Sequence, residues 1–103
     1  MPRSRTSPLR AESSHARAVA DYLREQGLTH LHVRERAELL TLESGPKGAQ
    51  VSHARLRRIG VNRWQLEMAT HTGRWQPTPI QAPLEEVLAA LVHDFGWTLH
   101  PIE

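Results

Sequence analysis

Hydrophobic and polar positions follow two different periods along this chain of 103 residues, and the change of period divides it into elements. Near the N-terminus, Leu9, Ala16, Val19, Ala20 and Leu23 fall on one face at helical spacing. Ser7-Pro8 offers an N-cap followed by proline at the first helical position, with Ser13 or Ser14 as the alternative start. Gly27 ends this helix after Gln26. Residues 1–7, or 1–12 with the later start, then form a basic tail.

From residue 28 the period becomes two. His30-Leu31-His32-Val33-Arg34 alternates, so Leu31 and Val33 share one face and His30, His32 and Arg34 the other. A turn at Glu35-Arg36-Ala37 leads into Glu38–Glu43, with Leu40 and Leu42 inward and Leu39 half covered. The loop Ser44-Gly45-Pro46-Lys47-Gly48 follows. Residues 53–59 form a third strand with Arg55 and Arg57 opposite Ala54 and Leu56. After Gly60-Val61-Asn62, residues 63–69 bury Trp64, Leu66 and Met68 and expose Arg63, Gln65 and Glu67. Thr70 to Gly73 turns again, and Arg74-Trp75-Gln76 opens a strand that Pro77 and Pro79 confine to the sheet edge.

The final element returns to helical period. Pro83 takes the first helical position, Glu85 and Glu86 suit the dipole of the first turn, and Leu84, Val87, Leu88, Leu91, Val92 and Phe95 form an apolar stripe. Gly96 stops it, with Trp97 folding back and a docked tail over 98–102. The expected fold is one α+β domain: helix, antiparallel meander of about five strands, helix. Both helices pack on one sheet face, because each has a single apolar stripe to bury. The other face displays His30, His32, Arg34, Arg55, Arg57, Arg63, Gln65 and Glu67.

Charge sharpens the picture of that face. Net charge is only +2, yet residues 53–76 hold five arginines against one glutamate, whereas 77–103 hold four acids and no arginine or lysine. Arginine outnumbers lysine twelve to one. Coding bias in a GC-rich genome gives that ratio, and so does selection for bidentate contacts to carboxylate or phosphate. The candidate partner-binding residues are therefore Arg55, Arg57, Arg63, Arg74, Trp75 and His71. An exposed Trp75 in the 70–79 turn fits an interaction hot spot, and a buried one would cap the sheet beneath the second helix.

Other chemistries have less to stand on. With no cysteine, disulfides and thiolate sites are excluded. The N-terminus is basic without the apolar region of a signal peptide, and Val87–Val92 is too short to span a bilayer. A cytoplasmic location and no membrane contact are expected. Ser52 and His53 are strand neighbours pointing to opposite faces, the 45–48 loop lacks a phosphate-loop pattern, and Glu85-Glu86 is explained by the helix dipole. A catalytic residue and a cofactor are accordingly not expected. His30 and His32 are the candidate metal ligands, with a third to come from His53, His71, His100 or a carboxylate.

The element order also occurs in double-stranded-RNA-binding domains, but the lysines those need at the second helix are replaced here by Leu84-Glu85-Glu86. Frataxin-type proteins need an acidic ridge, whereas Glu12, Asp21 and Glu25 alternate with Arg17 and Arg24. Neither resemblance extends beyond element order. The sequence thus points to a small non-enzymatic binding or adaptor module, holding a protein with an acidic surface or a nucleic acid. The alternative is a histidine-based metal-binding protein or metal-dependent enzyme.

Overall fold

The structure, a computed structural model, describes residues 9–70 and 72–95. Helix α1 spans Ser13–Glu25, followed by β1 (His32–Arg36), β2 (Leu39–Ser44), β3 (Val51–Gly60), β4 (Arg63–Ala69), β5 (Trp75–Ala82) and α2 (Leu84–Phe95). The five strands form one antiparallel sheet in the order β1-β2-β3-β4-β5. Both helices bury their stripes against the same face. Val19 and Leu23 of α1, and Leu84, Val87, Leu88 and Leu91 of α2, join Leu40, Leu42, Ala54, Leu56, Trp64 and Leu66 in one core. Burial of side chains this size stabilises by about 1.5–3 kcal/mol each. The α1 helix lies over β1 and α2 over β4 and β5, so the two divide the sheet between them. Among the described residues no helix is long and apolar enough to cross a membrane.

The start of α1 corrects the sequence expectation at Ser7-Pro8. Leu9–Glu12 is not helical, and Leu9 is exposed rather than part of the stripe. The Ala11 amide donates to the Ala37 carbonyl at 2.8 Å, and Ala11 is buried. Tertiary pairing therefore holds this segment extended until Glu12, whose amide donates to Nδ1 of His15 at 3.0 Å. Residues 9–12 are thus docked, not tail. The helix ends as expected. Gly27 at φ +78° donates to Arg24, and Leu28 donates to Leu23, which together form a Schellman stop.

Strand boundaries shift by a residue or two. His30 lies in a turn before β1, and the first hairpin turns at Ala37-Glu38 rather than 35–37, so Arg36 belongs to the strand. Ala37 adopts φ +53°, which a two-residue hairpin turn of this twist requires. In β3, Leu42 pairs with Ala54 but Glu43 with Ser52, so His53 is the extra residue of a bulge.

The proline-bearing strand β5 is the sheet edge, as expected. Gln65 pairs with Gln81 and Glu67 with Pro77, leaving Leu66 opposite a three-residue bulge around Pro79. The Thr78 hydroxyl donates to the Leu66 carbonyl at 2.9 Å and replaces a ladder bond that proline cannot make. Pro83 is the N-cap of α2 rather than its first residue, since its carbonyl accepts from the Glu86 and Val87 amides. Gly96, Trp97, the 98–102 tail, His100 and residues 1–7 lie outside the described residues.

Candidate interface on the open sheet face

Among the described residues no helix covers the second sheet face, and the pairing registers place its side chains in rows. One row runs Arg34, Thr41, Arg55, Glu67 and Pro77, and the adjacent one Arg36, Leu39, Arg57 and Gln65. His32, Glu43 and Ser52 form a third. Three polar residues here are nonetheless buried: Thr41 at 6% exposure, Glu43 at 4% and Glu67 at 6%. Of these, Glu43 is paired with Arg34, and Glu67 with Arg55 and Arg57.

This corrects the expected exposure of Glu67. Its carboxylate is the common acceptor of two arginines, Arg55 through Nε and Arg57 through Nε at 3.0 Å. Arg57 also reaches Glu38 at 2.9 Å. Burial raises the Glu67 pKa, but hydrogen bonds and charge from Arg55 and Arg57 outweigh it and hold the carboxyl below its ordinary value. On β1, Arg34 grips Glu43 through Nη2 at 2.7 Å and Nε at 3.0 Å, and His32 lies 3.7 Å from the same carboxylate. The face is therefore a lattice of alternating charges, not an uncompensated basic strip.

The expected site residues do not form one cluster. Arg55, Arg57 and Trp75 come together, with the Arg55 guanidinium carbon 4.4 Å from the Trp75 ring centroid. Arg63 and Arg74 stand at opposite ends of β4, the first opening the strand and the second following the turn after it. Both are exposed. His71 lies outside the described residues. Trp75 is half-buried, so it is neither a core residue like Trp64 nor a bare hot spot. Among the described residues Arg36, Arg63 and Arg74 have no carboxylate partner.

Arg36 borders a hollow of about 220 Å³ whose other polar lining comes from Arg34, Thr41, Ser52, Arg55 and Trp75. At the ~30 Å³ share of a liquid water, that is room for roughly seven waters. Its lining combines guanidinium donors with the hydroxyls of Thr41 and Ser52. Arg36 is hidden in the sequence because residue 36 reads as part of a turn, whereas it pairs with Leu39. The Glu67 link depends on strand pairing: a short turn after Gly60 sets Arg55 directly opposite Glu67.

The remaining candidates have other surroundings. His30 sits before β1, so the two-residue strand spacing with His32 does not apply, and its ring meets His53 edge-on at 6.4 Å. Among the described residues no three His, Asp or Glu side chains are grouped to hold a metal. His53 Nε2 and Ser44 Oγ are 2.7 Å apart, a serine–histidine contact across β2 and β3 that sequence adjacency did not suggest. Both are buried, which leaves the pair shielded from a substrate at the surface. Arg58 points to the other face and acts as a clamp, with Nη1 donating to the Arg10 carbonyl at 2.8 Å and Nη2 to Val61 at 2.7 Å.

No family model matches the chain, and no curated protein or solved structure matches it either.

Proposed function

We propose that this protein is a small non-enzymatic binding module that holds an acidic segment of a partner protein on its open sheet face. The hollow between Arg34, Arg36 and Trp75 carries this reading. It offers one guanidinium without a carboxylate partner beside two hydroxyls and an aromatic wall, a donor set suited to a carboxylate. Arg55 shapes the wall through its contact with Trp75. The reading places the module in the cytoplasm, as its cysteine-free composition allows.

A nucleic-acid partner has weaker support. Tracking a phosphate backbone calls for several cations at once, yet Arg55 and Arg57 are engaged by Glu67 and Glu38. Arg63 and Arg74 are far apart along β4. A direct comparison tests the choice: titrate the full chain with acetylated hexaglutamate and with a single-stranded oligonucleotide at several salt concentrations. Hexaglutamate should bind, and Arg36→Glu should weaken it at least tenfold at an unchanged melting temperature. Oligonucleotide binding that falls steeply with salt, without hexaglutamate binding, would replace this reading with the nucleic-acid one.

A further inference from the structure

The two edges of the sheet are built differently. Edge strands invite pairing with another chain, and proteins blunt them with proline, bulges or charge. The β5 edge carries Pro77, Pro79 and a bulge. The β1 edge has neither proline nor bulge, and its pairing with β2 is continuous from His32↔Glu43 to Arg36↔Leu39. What β1 has instead is two arginines on one face, Arg34 and Arg36, in line with His32.

The opposite side of the same edge carries Val33 and, at its far end, the exposed Glu35. A groove of about 640 Å³ runs between α1 and β1, floored by Ala16, Ala20, Leu28, Leu31 and Val33, with Arg17, Arg24 and His32 along its polar margin. All five floor residues are only half-buried, so among the described residues apolar surface remains open beside a strand edge with no partner. A strand added to β1 would send alternate side chains into this groove and the intervening ones toward the cations.

A second copy of this chain suits the edge badly. A symmetric antiparallel β1–β1 pairing centred on the strand sets Arg34 against Arg34, and the register centred on residue 35 sets Arg34 against Arg36. Like charges directly opposite are destabilising. An acidic strand reverses the sign of that term.

We infer that β1 is a strand-addition site for an extended peptide with acidic residues at alternate positions and apolar residues between them. The acids meet His32, Arg34 and Arg36, the apolar side chains enter the α1–β1 groove, and the main chain continues the ladder. Glu43, behind the row, holds Arg34 in place at 2.7 Å and leaves Arg36 uncompensated. This inference rests on the reading that the partner is an acidic protein segment, and it adds where the backbone of that segment lies.

The test uses an acetylated, amidated heptapeptide alternating valine with glutamate, added to the isotope-labelled full chain. Amide exchange across residues 32–36 should slow at least tenfold, with shift changes in Ala16, Ala20 and Leu28. The same peptide N-methylated at alternate residues keeps its side chains but cannot complete a ladder, and should bind at least tenfold more weakly. Equal binding of the two peptides overturns strand addition while leaving the acidic-segment reading intact. Loss of binding to both this peptide and hexaglutamate overturns the two together. A double variant, Arg34→Glu with Arg36→Glu, should exchange preference for a lysine–valine heptapeptide, and continued preference for glutamate overturns the inference. The exchange and N-methyl measurements need no variant, so they decide the matter even if the double variant folds poorly.

Discussion

Arg55 and Glu67 stand directly opposite each other across β3 and β4, and their side chains close into an ion pair on the face without helices. The pair converts a strand that reads as basic into one that is locally neutral. It also ties the open face to Trp75, because the same guanidinium lies against the tryptophan ring.

Loss of Glu67 should therefore cost stability and change its pH dependence. Its folded pKa is depressed, so its contribution is complete above the unfolded value near 4.5 and is lost as pH falls through that value toward the folded one. Glu67→Gln should lower stability by about 1–3 kcal/mol at neutral pH, since two partly covered arginines lose their acceptor. The deficit should shrink as the medium is made more acidic. Thermal melts of both proteins between pH 7 and 3 check this, and parallel curves would contradict it.

The same substitution should expose a hidden property. With Arg55 and Arg57 released from Glu67, polyanion affinity should rise and acquire salt dependence. Comparing oligonucleotide binding by wild type and Glu67→Gln at two ionic strengths measures that gain.

Two tryptophans should respond very differently to truncation. Trp64 is 1% exposed in the centre of the core, and Trp64→Ala should cost about 3–5 kcal/mol. Trp75 is half-buried on the edge strand and stacks against Arg55, so Trp75→Ala should be milder. Denaturant titration of both variants decides it. A comparable loss in Trp75→Ala would place that ring in the core.

Ala37 holds φ +53° at the first hairpin turn. An L-residue there is strained by about 1–2 kcal/mol, which exceeds the 0.4–1 kcal/mol that glycine loses through its freer unfolded chain. Ala37→Gly should consequently stabilise the protein by about 0.5–1 kcal/mol. An increase in melting temperature of a few degrees is the expected readout.

Ser44→Ala should be destabilising by about 1–3 kcal/mol, because it removes a hydroxyl 2.7 Å from His53 Nε2 at a buried bulge. Chemical denaturation measures the loss.

Much of this architecture is legible in the sequence because its determinants are local. The alternation of Trp64, Leu66 and Met68 identifies the inward face of β4, the stripe from Leu84 to Leu91 identifies α2, and Gly27 ends α1 through a conformation that glycine adopts readily. Proline in the last strand correctly marks an edge. These signals depend on near neighbours in the chain, so period and residue type suffice to read them.

Tertiary pairing decided the rest. The chain enters α1 at Ser13 because Ala11 pairs with Ala37, a residue twenty-six positions away. Arg36 reaches the open face because the hairpin turns one residue later than composition suggests, and His53 is displaced into a bulge where β2 and β3 change register. Above all, Arg55 and Arg57 count as free cations in the sequence and as partners of Glu67 and Glu38 in the fold. Composition sums charge along the chain, but an ion pair depends on register across strands. For that physical reason the sequence alone placed Arg34, Arg55 and Arg57 on the open face, and only the fold established which cations there keep their charge available.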